Sequence, residues 1–152
     1  MRTKIISAFP GTGKSTFHNK NKDNSIDSDS SEFSWVIDEG IKKRNPEFPA
    51  NYINHIKENI GKVEFIFVSS HAEVREALLD SCLFFYLVYP DPSRKSEFID
   101  RYKQRGNDDS FVKLLDNNWE TWMEDIKTLP DGCKFINLKE GNLEDILIDL
   151  RK

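Results

Sequence analysis

The chain has little from which a disulfide framework or a metal cage could be built. Its 152 residues include two cysteines and three histidines. Cys82 and Cys133 stand far apart with no CxxC spacing and no histidine-rich partner, so they are expected to be reduced structural thiols. A zinc site has no ligand set. Basic residues are not in excess either: 22 Lys and Arg against 26 Asp and Glu give a formal charge of -4. No overall positive field therefore draws the protein to nucleic acid or anionic lipid, although a local basic groove is compatible with that total. Long apolar runs are also missing. No stretch is long enough to span a bilayer, and MRTKIISAF is too short for a signal peptide, which predicts a cytoplasmic protein with no membrane partner.

What the chain does have is apolar runs of strand length alternating with helical patterns. TKIISAF (3–9), VEFIFVS (63–69), LFFYLVY (83–89) and the shorter KFINL (134–138) are near-continuous β-branched and aromatic runs, the signature of strands covered on both faces. A short strand is expected near Ser25 to Asp27, followed by a mobile loop on the acceptor side. HAEVREALLDS, SRKSEFIDRYKQR, DDSFVKLLDNNWETWMEDIKTL and NLEDILIDLRK have helical spacing. The stripe Phe111, Leu114, Leu115, Trp119, Trp122 and Ile126 reads as core. Such alternation predicts one α/β domain over 1–152: a three-layer sandwich with a parallel five-stranded sheet and helices on both faces. Residues of about 30–60 are expected to form a small insertion leaning over the site.

One more absence is local. SAFPGTGKSTF (7–17) follows the pattern G-x-x-x-x-G-K-[ST], but Ala8 stands where the first glycine belongs. That position joins strand to loop, where a small residue passes unless φ must be positive. The inner glycines, Gly11 and Gly13, are present and allow a tight turn with close backbone approach to phosphate. Pro10, Gly11, Thr12, Gly13, Lys14, Ser15 and Thr16 are the candidate triphosphate site. Lys14 would reach the β- and γ-phosphates, Ser15 would hold Mg²⁺, and the following helix adds its positive N-terminus.

The form F-P-G-T-G-K-S-T resembles the loop of nucleoside monophosphate kinases, with Pro10 and the Gly11-x-Gly13 spacing carrying the likeness. The resemblance implies a small P-loop phosphotransferase that uses ATP and Mg²⁺, and further landmarks extend it over most of the chain. In that superfamily a carboxylate after the second strand orients or deprotonates the acceptor, or holds the magnesium water shell. IDSDSSEF supplies Asp27 and Asp29, with Asp29 preferred as catalytic acid and metal-side ligand. No Asp ends VEFIFV, so the usual acid of the third strand is absent and the burden moves to those two. FVSSHAEVREAL is similar to the acceptor-facing strand end of gluconate and shikimate kinase-like proteins, which makes Ser70 and Arg75 acceptor candidates. The segment after the fourth strand resembles a kinase lid over about 92–108. There Arg94, Arg101 and Arg105 are spaced to share a helix face and close over the phosphates, with Gly106-Asn107 as a hinge. Lys139 to Asn142 matches the place where adenylate kinase-like proteins pack adenine.

The resemblance implies transfer of the ATP γ-phosphoryl to a nucleoside monophosphate, preferably a deoxynucleotide. The acceptor region departs from the family by having Arg44 as its only arginine. A kinase of hydroxyl groups on a nucleoside, a sugar or a polynucleotide (end or base) is the alternative, since such an acceptor needs a base more than a phosphate clamp. A nucleotide-binding regulatory protein with little turnover is the reading from another class.

Overall fold

The computed structural model describes residues 2–28, 30–126 and 132–150. The fold is α/β. Five parallel strands, β1 (Lys4–Ala8), β2 (Ser25–Asp27), β5 (Phe65–Val68), β6 (Phe85–Pro90) and β7 (Cys133–Leu138), form one sheet in the order β2-β5-β1-β6-β7. A separate antiparallel hairpin, preceded by the short helix α2 (Ser31–Ser34), pairs β3 (Trp35–Asp38) with β4 (Ile41–Arg44).

Strand side chains alternate between two apolar clusters. Ile5, Ile66, Val68, Phe85 and Leu87 belong to one; Ile6, Phe65, Phe67 and Val88 belong to the other. This is why the strands read as continuous apolar runs: both sets of alternating positions are buried. The smaller cluster is closed by Phe17 of helix α1 (Lys14–Lys20) and by Leu143 and Leu147 of helix α7 (Leu143–Leu150). The larger one takes side chains from α3 (Ala50–Asn59), α4 (Ala72–Asp80), α5 (Lys95–Gln104) and α6 (Asp109–Asp125).

One rule allocates those faces. From the central β1 the chain crosses outward through α1 to the edge strand β2. It then reverses, passing through β5, β6 and β7 in one direction. A constant right-handed crossover whose direction reverses must put its helices on opposite faces, and α1 does lie opposite α3, α4, α5 and α6. The crossovers leaving the neighbours β1 and β5 therefore lie on opposite faces, so the carboxyl end of β1 opens the crevice where ligands of open α/β sheets bind.

Within the region of about 30–60, β3 and β4 form a separate exposed hairpin, whereas α3 buries Tyr52, Ile53 and Ile56 in the larger core and Tyr52 donates to the Ser28 carbonyl at 2.7 Å. Two expectations are corrected. In α6, Leu115, Trp119 and Met123 are buried but Leu114 is exposed, because it lies one residue off the buried stripe. Cys82 is exposed at a turn with φ 56°, so only Cys133, half-buried at the start of β7, fits the expected structural thiol. Among the described residues no helix is long and apolar enough to cross a membrane.

Candidate active site

Ala8 answers the question of the missing glycine. It is still in the sheet, opposite Val88, and left-handed φ among described non-glycine residues occurs only at Glu39 and Cys82. An alanine therefore costs nothing there. The turn falls instead on Gly11 (φ 85°) and Gly13 (φ 100°), the second being the N-cap of α1.

The carbonyls of this loop are held by the protein one after another. Thr12 Oγ1 donates to the Phe9 oxygen at 2.8 Å, and the Tyr102 hydroxyl to that of Pro10 at 2.7 Å. Arg101 Nη1 donates to Gly11 O at 2.8 Å, Leu143 N to Thr12 O at 2.8 Å, and Phe17 N to Gly13 O at 3.0 Å. In a trans peptide the N–H that follows an anchored oxygen points the opposite way, which here holds for Gly11, Thr12, Gly13 and Lys14, since Pro10 has no N–H. The N–H edge of the loop is thus what remains for a ligand, and it lies at a helix N-terminus, an arrangement suited to an anion. A cavity of about 580 Å³ opens here, lined by the loop, Lys14, Ser15, Thr16 and, across from them, Arg101, Gln104, Arg105 and Asn142. Among the described residues no carboxylate lines it, so its charged lining is cationic.

Ser15 and Asp27 meet at the cavity's edge, where Ser15 Oγ donates to Asp27 Oδ2 at 3.1 Å. The contact joins the start of α1 to the carboxyl end of β2. Asp29, the preferred acid from sequence, lies outside the described residues. Ser69 takes the place at the end of β5 where an acid is missing. Its Oγ donates to Ser30 Oγ at 2.8 Å, its carbonyl accepts from Ser7 Oγ at 3.1 Å, and the bonds tie the segment after β2 to the central strands.

The helix expected to close as a lid is packed on the sheet in this structure, with Phe98 and Tyr102 of α5 fully buried in the larger core. Burial also raises the Tyr102 hydroxyl pKa, keeping it a neutral donor to the loop. The three arginines do not act alike. Arg101 and Arg105 line the cavity, but Arg94 precedes α5 in a 3₁₀ turn (Pro92–Arg94) and does not line it. Only 8% exposed, Arg94 donates to the carbonyls of Leu138 at 3.2 Å and Gly141 at 3.1 Å and forms a fork with Glu97. It is a strut between α5 and the loop after β7. Its guanidinium, followed by that of Arg101, holds the Glu97 carboxyl below its ordinary value of 4.5. Because the folded pKa is the lower one, this stabilisation is complete above that value and disappears as pH falls through the depressed pKa. Glu97→Gln should therefore be less stable than wild type at neutral pH, with the difference shrinking in urea unfolding as pH falls below the ordinary carboxylate range. A difference that stays constant with pH would contradict the assignment.

Gly11 is confined as well as turned. A Cβ there would stand 2.8 Å from Tyr102 Cε1 and 3.3 Å from Phe98 Cδ2. Gly11→Ala is expected to lose at least about 1–2 kcal/mol from the left-handed backbone alone. Displacement of Tyr102 should add to that loss in the same variant. An unchanged urea midpoint would show that the turn tolerates a side chain.

A second cavity of about 400 Å³ lies on the β2 side, lined by Ser30, Ser34, Trp35, Arg44, Phe48, His71, Glu73 and Val74. Arg44, the one arginine expected near the acceptor, reaches it, with its guanidinium 4.8 Å from the Phe48 ring and bonded to Glu73. His71 is the N-cap of α4. Ser70 offers its carbonyl to the Tyr89 hydroxyl at 3.4 Å. Arg75 is not at the surface and does not line this cavity. Lying on the sheet side of α4 with Val74 and Leu78, it is 9% exposed, and its Nε has no hydrogen-bond partner among the described residues. The expected helical spacing from His71 was sound, but that spacing turns Arg75 inward.

Sequence reasoning missed Trp35, Phe48 and Glu73 of this cavity, and Gln104 of the first. One signal was available: Asp38-Glu39-Gly40-Ile41 joins the apolar Trp35-Val36-Ile37 to the basic Lys42-Lys43-Arg44. Glu39 and Gly40 both have positive φ (52° and 78°), as a two-residue type I′ hairpin turn requires. No protein-family model matches the chain and no curated protein matches it, so its function has to be read from its own residues.

Proposed function

We propose that the protein is an ATP-dependent P-loop phosphotransferase acting on a nucleotide acceptor, with ATP in the larger cavity and the acceptor in the smaller. The observation that carries this reading is the glycine loop at the sheet's switch point, whose carbonyls are all anchored and whose N–H edge faces a cationic cavity. Adenine would lie against the loop after β7, where Asn142 lines the cavity.

Ser15 and Asp27 fit Mg²⁺, a hard ion that takes oxygen ligands and commonly needs only one or two from the protein beside phosphate and water. When bound, the ion neutralises charge on the β- and γ-phosphates. The chain's residues do the rest. Loop amides and Lys14 orient the triphosphate, and Arg101 and Arg105 face it from α5. In the transfer, the bond between the γ-phosphorus and the β–γ bridging oxygen breaks while an acceptor oxygen bonds to the phosphorus, and ADP departs. A nucleoside monophosphate supplies an oxygen that is already ionised and needs only a clamp, for which Arg44 is placed. A hydroxyl must also lose a proton, and Asp27 is the described carboxylate beside the site that could take it. The second reading, a hydroxyl kinase, is favoured by that carboxylate and by the engagement of Arg44 with Glu73.

The test is product analysis after incubation with γ-labelled ATP and parallel acceptors: nucleoside monophosphates, nucleosides, and short DNA and RNA with 5′-hydroxyl ends. Label on any acceptor supports the reading, and its position chooses between the two forms. ATP binding with no transfer to any of them would leave a nucleotide-binding regulator.

A further inference from the structure

The hairpin of β3 and β4 is exposed along its whole length. Its register decides what each face carries. Trp35 stands opposite Arg44 and Ile37 opposite Lys42, so these four share one face. Val36, Asp38, Ile41 and Lys43 share the other. On the first face Trp35 is 40% and Ile37 80% exposed, and Lys42 Nζ lies 4.8 Å from the indole centroid. Among the described residues no acid pairs with Lys42, whereas Lys43, on the opposite face, is bonded to Asp38 at 3.3 Å. The first face also runs into the smaller cavity, since Trp35 and Arg44 line it. An indole, an aliphatic side chain and two cations, Arg44 paired with Glu73 of α4 and Lys42 with no acid among the described residues, stand out on a chain whose formal charge is -4.

We propose that this face of the hairpin binds single-stranded nucleic acid, and that the acceptor is a nucleotide of that strand seated in the smaller cavity. Unpaired bases present flat π-faces to Trp35, and their phosphates meet Lys42 and Arg44, the combination by which single strands are held without sequence preference. Paired bases in a duplex would not offer those faces. The acceptor clause rests on the phosphotransferase reading; the binding clause does not.

The experiment is anisotropy of labelled single-stranded DNA and RNA oligonucleotides with the full chain, without ATP, at several salt concentrations. Sedimentation of the protein alone is run in parallel. Trp35→Ala is expected to weaken binding by about tenfold or more, the effect of losing one stacking platform. Lys42→Ala should weaken it and flatten the dependence on salt, since one phosphate contact is lost. Lys43→Ala removes the same charge from the other face and should change little, which keeps the comparison informative if Trp35→Ala misfolds. Absence of oligonucleotide binding, or equal losses in the two lysine variants, overturns the proposal. So does self-association abolished by Trp35→Ala with no oligonucleotide bound, which would make the ribbon a dimer surface. With labelled ATP added, label on the strand supports the acceptor clause, and label confined to free monophosphates overturns it. Strand binding with no transfer to any acceptor would sink the phosphotransferase reading and leave the ribbon assignment standing.

Discussion

Lys14→Ala is expected to lower kcat by about 10³-fold or more while the fold survives. Removing one preorganised donor from a developing oxyanion typically costs about 10²–10³-fold, and Lys14 combines a donor with a full charge at the base of a cationic cavity. The remaining cations, Arg101 and Arg105, approach from the opposite wall and do not replace a charge rooted in the loop itself. The loop should keep its shape, because its carbonyls are anchored by Thr12, Tyr102, Arg101, Leu143 and Phe17. Circular dichroism and a urea midpoint close to wild type would establish that the fold is intact. Turnover within a few-fold of wild type in that folded variant would remove the triphosphate reading.

Asp27→Asn is the second large effect, and its form depends on the acceptor. The asparagine keeps size and can still accept from Ser15, so the loss reports the charge and not the packing. Where the acceptor is a hydroxyl, kcat should fall by about 10²–10⁴-fold with the loss of the base. Where the acceptor is a monophosphate, no proton must be removed. The loss should then appear as a higher Mg²⁺ requirement, recovered in part at high Mg²⁺. A variant unchanged in rate and Mg²⁺ dependence would show that Asp27 serves only to position Ser15.

Much of this was legible in the chain because it is local or doubly constrained. A parallel strand buried on both faces must be apolar at every position, so VEFIFV and LFFYLVY identify themselves without knowledge of their neighbours. Gly11 and Gly13 are legible for the same kind of reason: their φ values are requirements of the turn itself. The arginines were not. Arg94 looks equivalent to Arg101 on a helical wheel, but its carbonyl partners at Leu138 and Gly141 lie 44 and 47 residues away. Arg75 has the spacing of an acceptor-facing cation and is turned into the core instead.

By itself, the sequence determined the alternating α/β order, the glycine loop at the end of the first strand and the lack of an acid after VEFIFV. Each follows from side-chain size, polarity or backbone freedom within a few residues. Only the tertiary structure decided that Asp27 meets Ser15, that α5 is a wall bonded to the loop, and that one face of a hairpin carries Trp35, Lys42 and Arg44 into a second cavity. Those facts depend on which elements the right-handed crossovers bring side by side, and on where a hydrogen-bond donor finds its acceptor across the fold. No local window of sequence contains either.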